Sequence, residues 1–254
     1  MCAKNALTGK ISTDFKPKFA AAISVVALLV TGCVSTPPPP PSVDEVQAYS
    51  VTQLKQAIRA ERLAQTCIAV SKDKNSDTQK LYRQWQTLEW PVVVGADAHY
   101  RSTLSGKTLA FEGQTLSMEA LRLYADEVER SNANFNYLAR IKTDPSRLCL
   151  RKMQETLTAT DAPDNIRNAL KALGEKHPQP PVPGDRIPSL AGNFTIDAKT
   201  GRSHYKVEQA TKSMNCTAPK IITFKNQWPS EIYGAFCSDD HQLISCEWGK
   251  CKSL

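Results

Sequence analysis

The sequence predicts an α+β fold: a helical bundle-like domain followed by a small disulfide-rich antiparallel β domain. Three observations carry this reading. Apolar residues recur at helical spacing between positions 43 and 174. A proline-dense stretch at 177–188 (HPQPPVPGDRIP) follows, and beyond it the apolar period shortens towards two. Four of the eight cysteines lie between Cys216 and Cys251, inside that last part. At 254 residues the chain has room for one core or two small ones.

Taken in order, Ser42 and Glu45 have capping-box spacing and start a first helix. Val46, Tyr49, Leu54, Ala57, Ile58, Ala64, Cys67 and Ile68 form its apolar stripe. A polar break at 71–77 leads to a second helix over 77–89, carrying Leu81, Trp85 and Leu88 and ended by Pro91. Residues 92–116 are less regular. Val92, Val93 and Val94 read as a short strand or a buried extended run, punctuated afterwards by Gly95, Gly106 and Gly113. The helical period returns from Ser117 through Leu121, Tyr124, Val128, Phe135, Leu138 and Ile141. Asp144 and Pro145 supply a cap and a first helical position for a helix with Leu148, Cys149, Met153 and Leu157. A short last helix starts near Pro163, uses Ile166, Leu170 and Leu173, and meets Gly174.

Past the prolines, 193–197 and 204–208 read as a hairpin around a turn at 199–202, with His204-Tyr-Lys-Val-Glu alternating. A third strand is expected at 221–224. A further strand pair, 232–237 and 243–248, flanks the turn-like residues 238–241.

The N-terminus has its own pattern. Lys4, Lys10, Lys16 and Lys18 precede an apolar run at 19–30, twelve residues long and too short to span a bilayer comfortably. The run ends in Val30-Thr31-Gly32-Cys33, which resembles the lipobox of bacterial lipoprotein precursors. The resemblance covers roughly the first 36 residues. It implies cleavage before Cys33, acylation of Cys33 and anchoring in the lipid bilayer. Val34 rather than Asp after the cysteine implies sorting to the outer membrane, facing the periplasm or cell surface. Several acyl chains would hold the protein firmly, at about 0.8 kcal/mol per buried methylene.

The organisation expected is therefore a signal peptide at 1–32 and a lipidated Cys33 with polyproline spacer at 33–42. A mainly helical domain at 43–175, a proline-rich linker at 176–188 and a small β domain at 189–254 follow. Without 1–32 the chain has 222 residues and its net charge falls from +7 to +4, so much of the basicity belongs to the signal. No Lys/Arg cluster is dense enough for a phosphate footprint, and nucleic acid is not an expected partner.

Six cysteines remain beyond the signal and the anchor, an even number that suits an oxidising compartment. One bridge, Cys67 to Cys149, is expected within the helical part. Cys216, Cys237, Cys246 and Cys251 are expected to form two more in the β part, with three pairings open. Their spacing lacks paired CxxC knuckles, so no metal is assigned to them.

Nucleophile elbows, HExxH, P-loops, Rossmann glycines and CxxC redox pairs are all absent from the sequence, and no cofactor is implied. The weak catalytic candidates are Asp97 and His99, in a small-residue loop near Tyr100, and His241. His204 and His241, with Asp239 and Asp240, would make a divalent-metal site if they met. His177 in the linker is expected to face solvent.

Aromatic residues are dense in the β part. Trp228, Tyr233 and Trp248 are its ligand-binding candidates, provided they are exposed. Three readings of function follow. The first is a non-enzymatic envelope lipoprotein acting as a structural or protein-interaction component of a cell-envelope assembly, with an envelope protein as partner. The second is a glycan- or host-ligand-binding module in the β domain. The third is an envelope hydrolase. The first calls for a broad apolar patch, on the helical part. The second calls for an exposed aromatic pair in a shallow groove. The third needs Asp97, His99 or His241 in a deep cleft.

Overall fold

Ser42 opens the first helix as its sequence spacing predicts: its hydroxyl accepts from the Glu45 N–H at 3.3 Å, and the Glu45 carboxylate accepts from the Ser42 N–H at 2.8 Å. The structure is a computed structural model that describes residues 39–104, 108–158, 162–176, 194, 196, 200–213, 216, 218–238 and 240–254. The signal region with its lipobox, Cys33, most of the spacer, His177 and the proline linker lie outside the described residues. So do Asp239 and most of the expected strand at 193–197.

Helix α1 (Val43–Ser71) buries Leu54, Ala57, Ile58, Leu63, Ala64 and Cys67. Helix α2 (Asp77–Thr103) starts at a Ser76 cap and runs straight through Pro91, where the sequence predicts a stop. Val92–Val94 are accordingly helical and buried, not extended. Packing overrides the missing N–H of Pro91. The turn around it lies against helix α5 (Asp164–Gly174) so closely that a Cβ on Gly174 would come within 1.7 Å of the Pro91 carbonyl oxygen, and one on Gly95 within 1.8 Å of the Leu170 oxygen. Gly95 is thus a site of backbone approach rather than punctuation, and Gly174, where α5 ends as expected, is a second such site.

Strands β1 (Thr108–Phe111) and β2 (Gln114–Ser117) form a hairpin in the region expected to be irregular. Its two-residue turn, Glu112 (φ 48°) and Gly113 (φ 76°), is left-handed at both positions, the geometry that matches strand twist. Ser117 caps α3 (Met118–Phe135), which a short 3-10 segment, Asn136–Arg140, continues. Helix α4 (Pro145–Leu157) has Asp144 as cap and Pro145 in its first turn. The expected Cys67–Cys149 disulfide ties α4 to α1.

Where alternation predicts a strand, His204–Ser213 forms helix α6. Its buried positions are Val207 and Thr211, four apart and therefore on one helical face. Strands β3 (Lys220–Gln227), β4 (Ser230–Phe236), β5 (His241–Glu247) and β6 (Lys250–Ser253) follow as an antiparallel meander in the order β3-β4-β5-β6. The four late cysteines pair as Cys216–Cys237 and Cys246–Cys251.

Side-chain alternation gives the sheet two covered faces. Ile222, Phe224, Ile232, Phe236 and Leu243 pack against Leu121 and Ala125 of α3 and Leu116 of β2. Tyr233, Ala235, Ile244 and Cys246 pack on the other face against Val207 of α6. The helical and sheet regions thus share a core, and 38–254 form one compact unit.

Candidate ligand-binding site at one end of the sheet

Two turns meet at one end of the meander. Between β3 and β4 stand Trp228 and Pro229, joined by a cis peptide bond, with Gln227 opposite Ser230. Between β5 and β6, Trp248 (φ 50°) and Gly249 (φ 75°) form a two-residue left-handed turn closed by Glu247 opposite Lys250. The Cys246–Cys251 disulfide crosses the hairpin at the next residue pair. The Trp248 N–H donates to the Pro229 carbonyl at 3.0 Å, which couples the two turns.

Both indoles project from this framework. Trp228 is 43% exposed and Trp248 67% exposed, with ring centroids 5.9 Å apart and planes at 81°. That edge-to-face arrangement is a favoured aromatic geometry, contributing roughly 0.5–1.5 kcal/mol beyond burial. The guanidinium of Arg202 lies over the Trp228 ring, 5.2 Å from its centroid.

Arg202 is placed by a carboxylate that is itself buried. Glu231 is 0% exposed and accepts from the Arg202 N–H at 2.8 Å, the Ser203 N–H at 2.9 Å and the Tyr233 hydroxyl at 3.1 Å. The two backbone donors lie just before α6, so Glu231 serves that helix as a cap supplied from the sheet. Burial pushes the Glu231 pKa up, but donors on Ser203, Arg202 and Tyr233 outweigh it and hold the carboxyl below its ordinary value. Burial and the neighbouring Glu231 push the Tyr233 phenol well above its ordinary range. Both groups stay in their hydrogen-bonding forms at neutral pH: carboxylate accepting, phenol donating.

Trp228 and Trp248 occupy the exposed positions expected of ligand-binding residues. Tyr233 does not. It is 0% exposed because alternation along β4 turns it towards α6, and its contribution is to hold Glu231. Arg202 and Glu231 escape sequence reading because the hydrogen bonds that join residues 202 and 203 to the Glu231 carboxylate span 29 and 28 residues of chain.

The catalytic candidates do not assemble. Asp97 lies inside α2 rather than in a loop, buried and ion-paired with Arg101 at 2.5 Å. His99, two residues on, stands about 200° around the same helix. His241 projects towards α3, where its ring meets Phe236 edge-on and its Nε2 lies 3.3 Å from Arg122. His204 stands on the other side of the sheet, against Tyr233 and 3.4 Å from Glu208, so the two histidines do not meet. Among the described residues no group of three or more His, Cys, Asp or Glu side chains is arranged to hold a metal ion. A cavity of about 340 Å³ between helices is lined by Arg59, Phe135, Tyr137, Lys152 and Glu155 among others, and by none of the catalytic candidates.

Compared with protein-family models, curated proteins and solved structures, the chain matches none.

Proposed function

We propose that the chain is a lipid-anchored envelope protein that binds saccharide through the sheet end bearing Trp228 and Trp248. The single observation that carries this reading is the rigidly framed, exposed indole pair. Aromatic faces stack on the C–H faces of sugar rings, while polar neighbours such as Gln227 and Ser230 supply hydrogen bonds at the rim.

Area favours this reading over protein docking. At their observed exposures the two indoles offer on the order of 250 Å², whereas a standard protein interface buries about 800 Å² on each partner. Other large hydrophobics exposed on the helical part, Val43, Leu88 and Tyr137, are scattered over three different elements. That pattern does not favour the broad apolar patch an assembly component would need.

The anchor rests on the lipobox resemblance, and the three disulfides agree with an exported chain. Among the described residues no helix is long and apolar enough to cross a membrane. Mass spectrometry of membrane-extracted protein checks the anchor: a chain beginning at an acylated Cys33 is expected, and an intact 1–32 segment would contradict it. Co-sedimentation of the full mature protein with peptidoglycan sacculi and with chitin checks the binding. Retention on at least one polysaccharide is expected, lost in a Trp228→Ala/Trp248→Ala double variant. Retention on neither, or retention indifferent to both substitutions, would overturn the reading.

A further inference from the structure

We infer that the saccharide taken at this end of the sheet is an acidic one, with Arg202 receiving its carboxylate; the inference rests on the saccharide-binding reading above. Arg202 is exposed, with its guanidinium over the Trp228 ring at 5.2 Å from the centroid. Among the described residues it has no carboxylate in ion-pair contact, unlike Arg59, Arg101, Arg122 and Arg167 and like Arg62, Arg83, Arg140 and Arg147. A cation–π contact is made by the charge of the guanidinium and consumes none of the N–H donors along its edge. Those edge donors have the fork geometry that grips a carboxylate through two parallel hydrogen bonds.

The carboxylates near this cation make no direct ion pair with it among the described residues. Glu247 stands opposite Lys250 across the β5–β6 turn. Glu231 is buried and accepts from backbone N–H groups and the Tyr233 phenol rather than from the guanidinium. It fixes where the Arg202 backbone sits and leaves the guanidinium N–H groups to other partners.

Gly201 makes this clamp feasible. A Cβ there would lie 2.1 Å from the Tyr233 hydroxyl oxygen and 2.7 Å from Glu231 Oε1, so only glycine lets the chain approach the buried carboxylate. A strand of sheet, a buried acid and a glycine thus combine to hold one guanidinium beside two exposed indoles. Arg202 touches the ligand in this account, and Glu231 is a positioning residue.

Isothermal titration of the full mature protein with tetragalacturonic acid and with its methyl ester tests the inference. The two probes share ring faces and differ in charge. The acid is expected to bind at least tenfold more tightly than the ester, with the ratio falling near one in Arg202→Gln. Glu231→Gln is expected to lower the same ratio, which a purely structural role would leave unchanged because both probes would weaken together. Equal binding of acid and ester, lost in Trp248→Ala, would overturn the acidic inference while leaving saccharide binding standing. A preference for the acid that survives in Arg202→Gln would equally overturn it. Binding of neither probe would overturn the acidic inference and leave the saccharide reading to the co-sedimentation result.

Discussion

Gly201 has no room for a methyl group, and the crowding falls on the two atoms that hold the sheet end together, the Tyr233 hydroxyl and the Glu231 carboxylate. Gly201→Ala is therefore expected to destabilise the protein by about 1–3 kcal/mol, as overpacking at a buried position does. Urea unfolding of the variant beside the parent measures it. Glu231 also predicts a pH effect. Its folded-state pKa is depressed, so its contribution to stability is complete above the ordinary carboxylate range and is lost as the pH falls through the lower folded-state value. Unfolding free energies followed between about pH 5 and pH 2 should show a smaller acid-induced loss in Glu231→Gln than in the parent. At this scale the sequence exposes half of the site. Trp228 and Trp248 stand out because aromatic residues at turns are conspicuous. Arg202 and Glu231 do not, since nothing local shows that a carboxylate on one strand will meet the N–H groups of residues 202 and 203.

At the scale of elements, helix starts are written in short-range chemistry. Ser42 with Glu45 and Asp144 with Pro145 each announce a helix that forms. Pro91 shows the limit of local reasoning: the stop it predicts is overridden by Gly95 and Gly174, which bring α2 and α5 into backbone contact some 80 residues apart in the chain. Gly174→Ala should separate these helices and cost at least about 2 kcal/mol, seen as a lowered unfolding midpoint. A variant as stable as the parent would show that the crossing is looser than described. The alternation in 204–208 misleads for a related reason, because the one-sided burial of Val207 and Thr211 becomes visible only once the sheet face beneath them exists. The bridge between α1 and α4 closes a separation of 82 residues. Replacing Cys67 and Cys149 together by Ser is expected to lower stability by about 4 kcal/mol, chiefly by releasing the unfolded chain. Equal denaturant midpoints for the variant and the parent would contradict that.

For the whole molecule, the decisive feature is the core shared by α3, the β1–β2 hairpin and the sheet. The two regions that composition separates at the prolines are packed through Leu121, Ala125, Phe224 and Leu243. One cooperative unfolding transition is expected, with helical circular dichroism and tryptophan fluorescence changing together. Two separated transitions would mean that the shared core does not couple them. This packing also gives the sheet end its purpose in the proposed function. The sheet is covered on both faces, so its turns are left as the place where aromatic side chains can meet a ligand. The chain contains four tryptophans, and they make the central claim directly testable. Their indole N–H resonances, followed by NMR as tetragalacturonic acid is added to the full mature protein, should divide into two groups. The Trp228 and Trp248 signals are predicted to shift and saturate together, while those of Trp85 and Trp90 in α2 stay in place. Stationary Trp228 and Trp248 signals, or shifts confined to Trp85 and Trp90, would contradict the account.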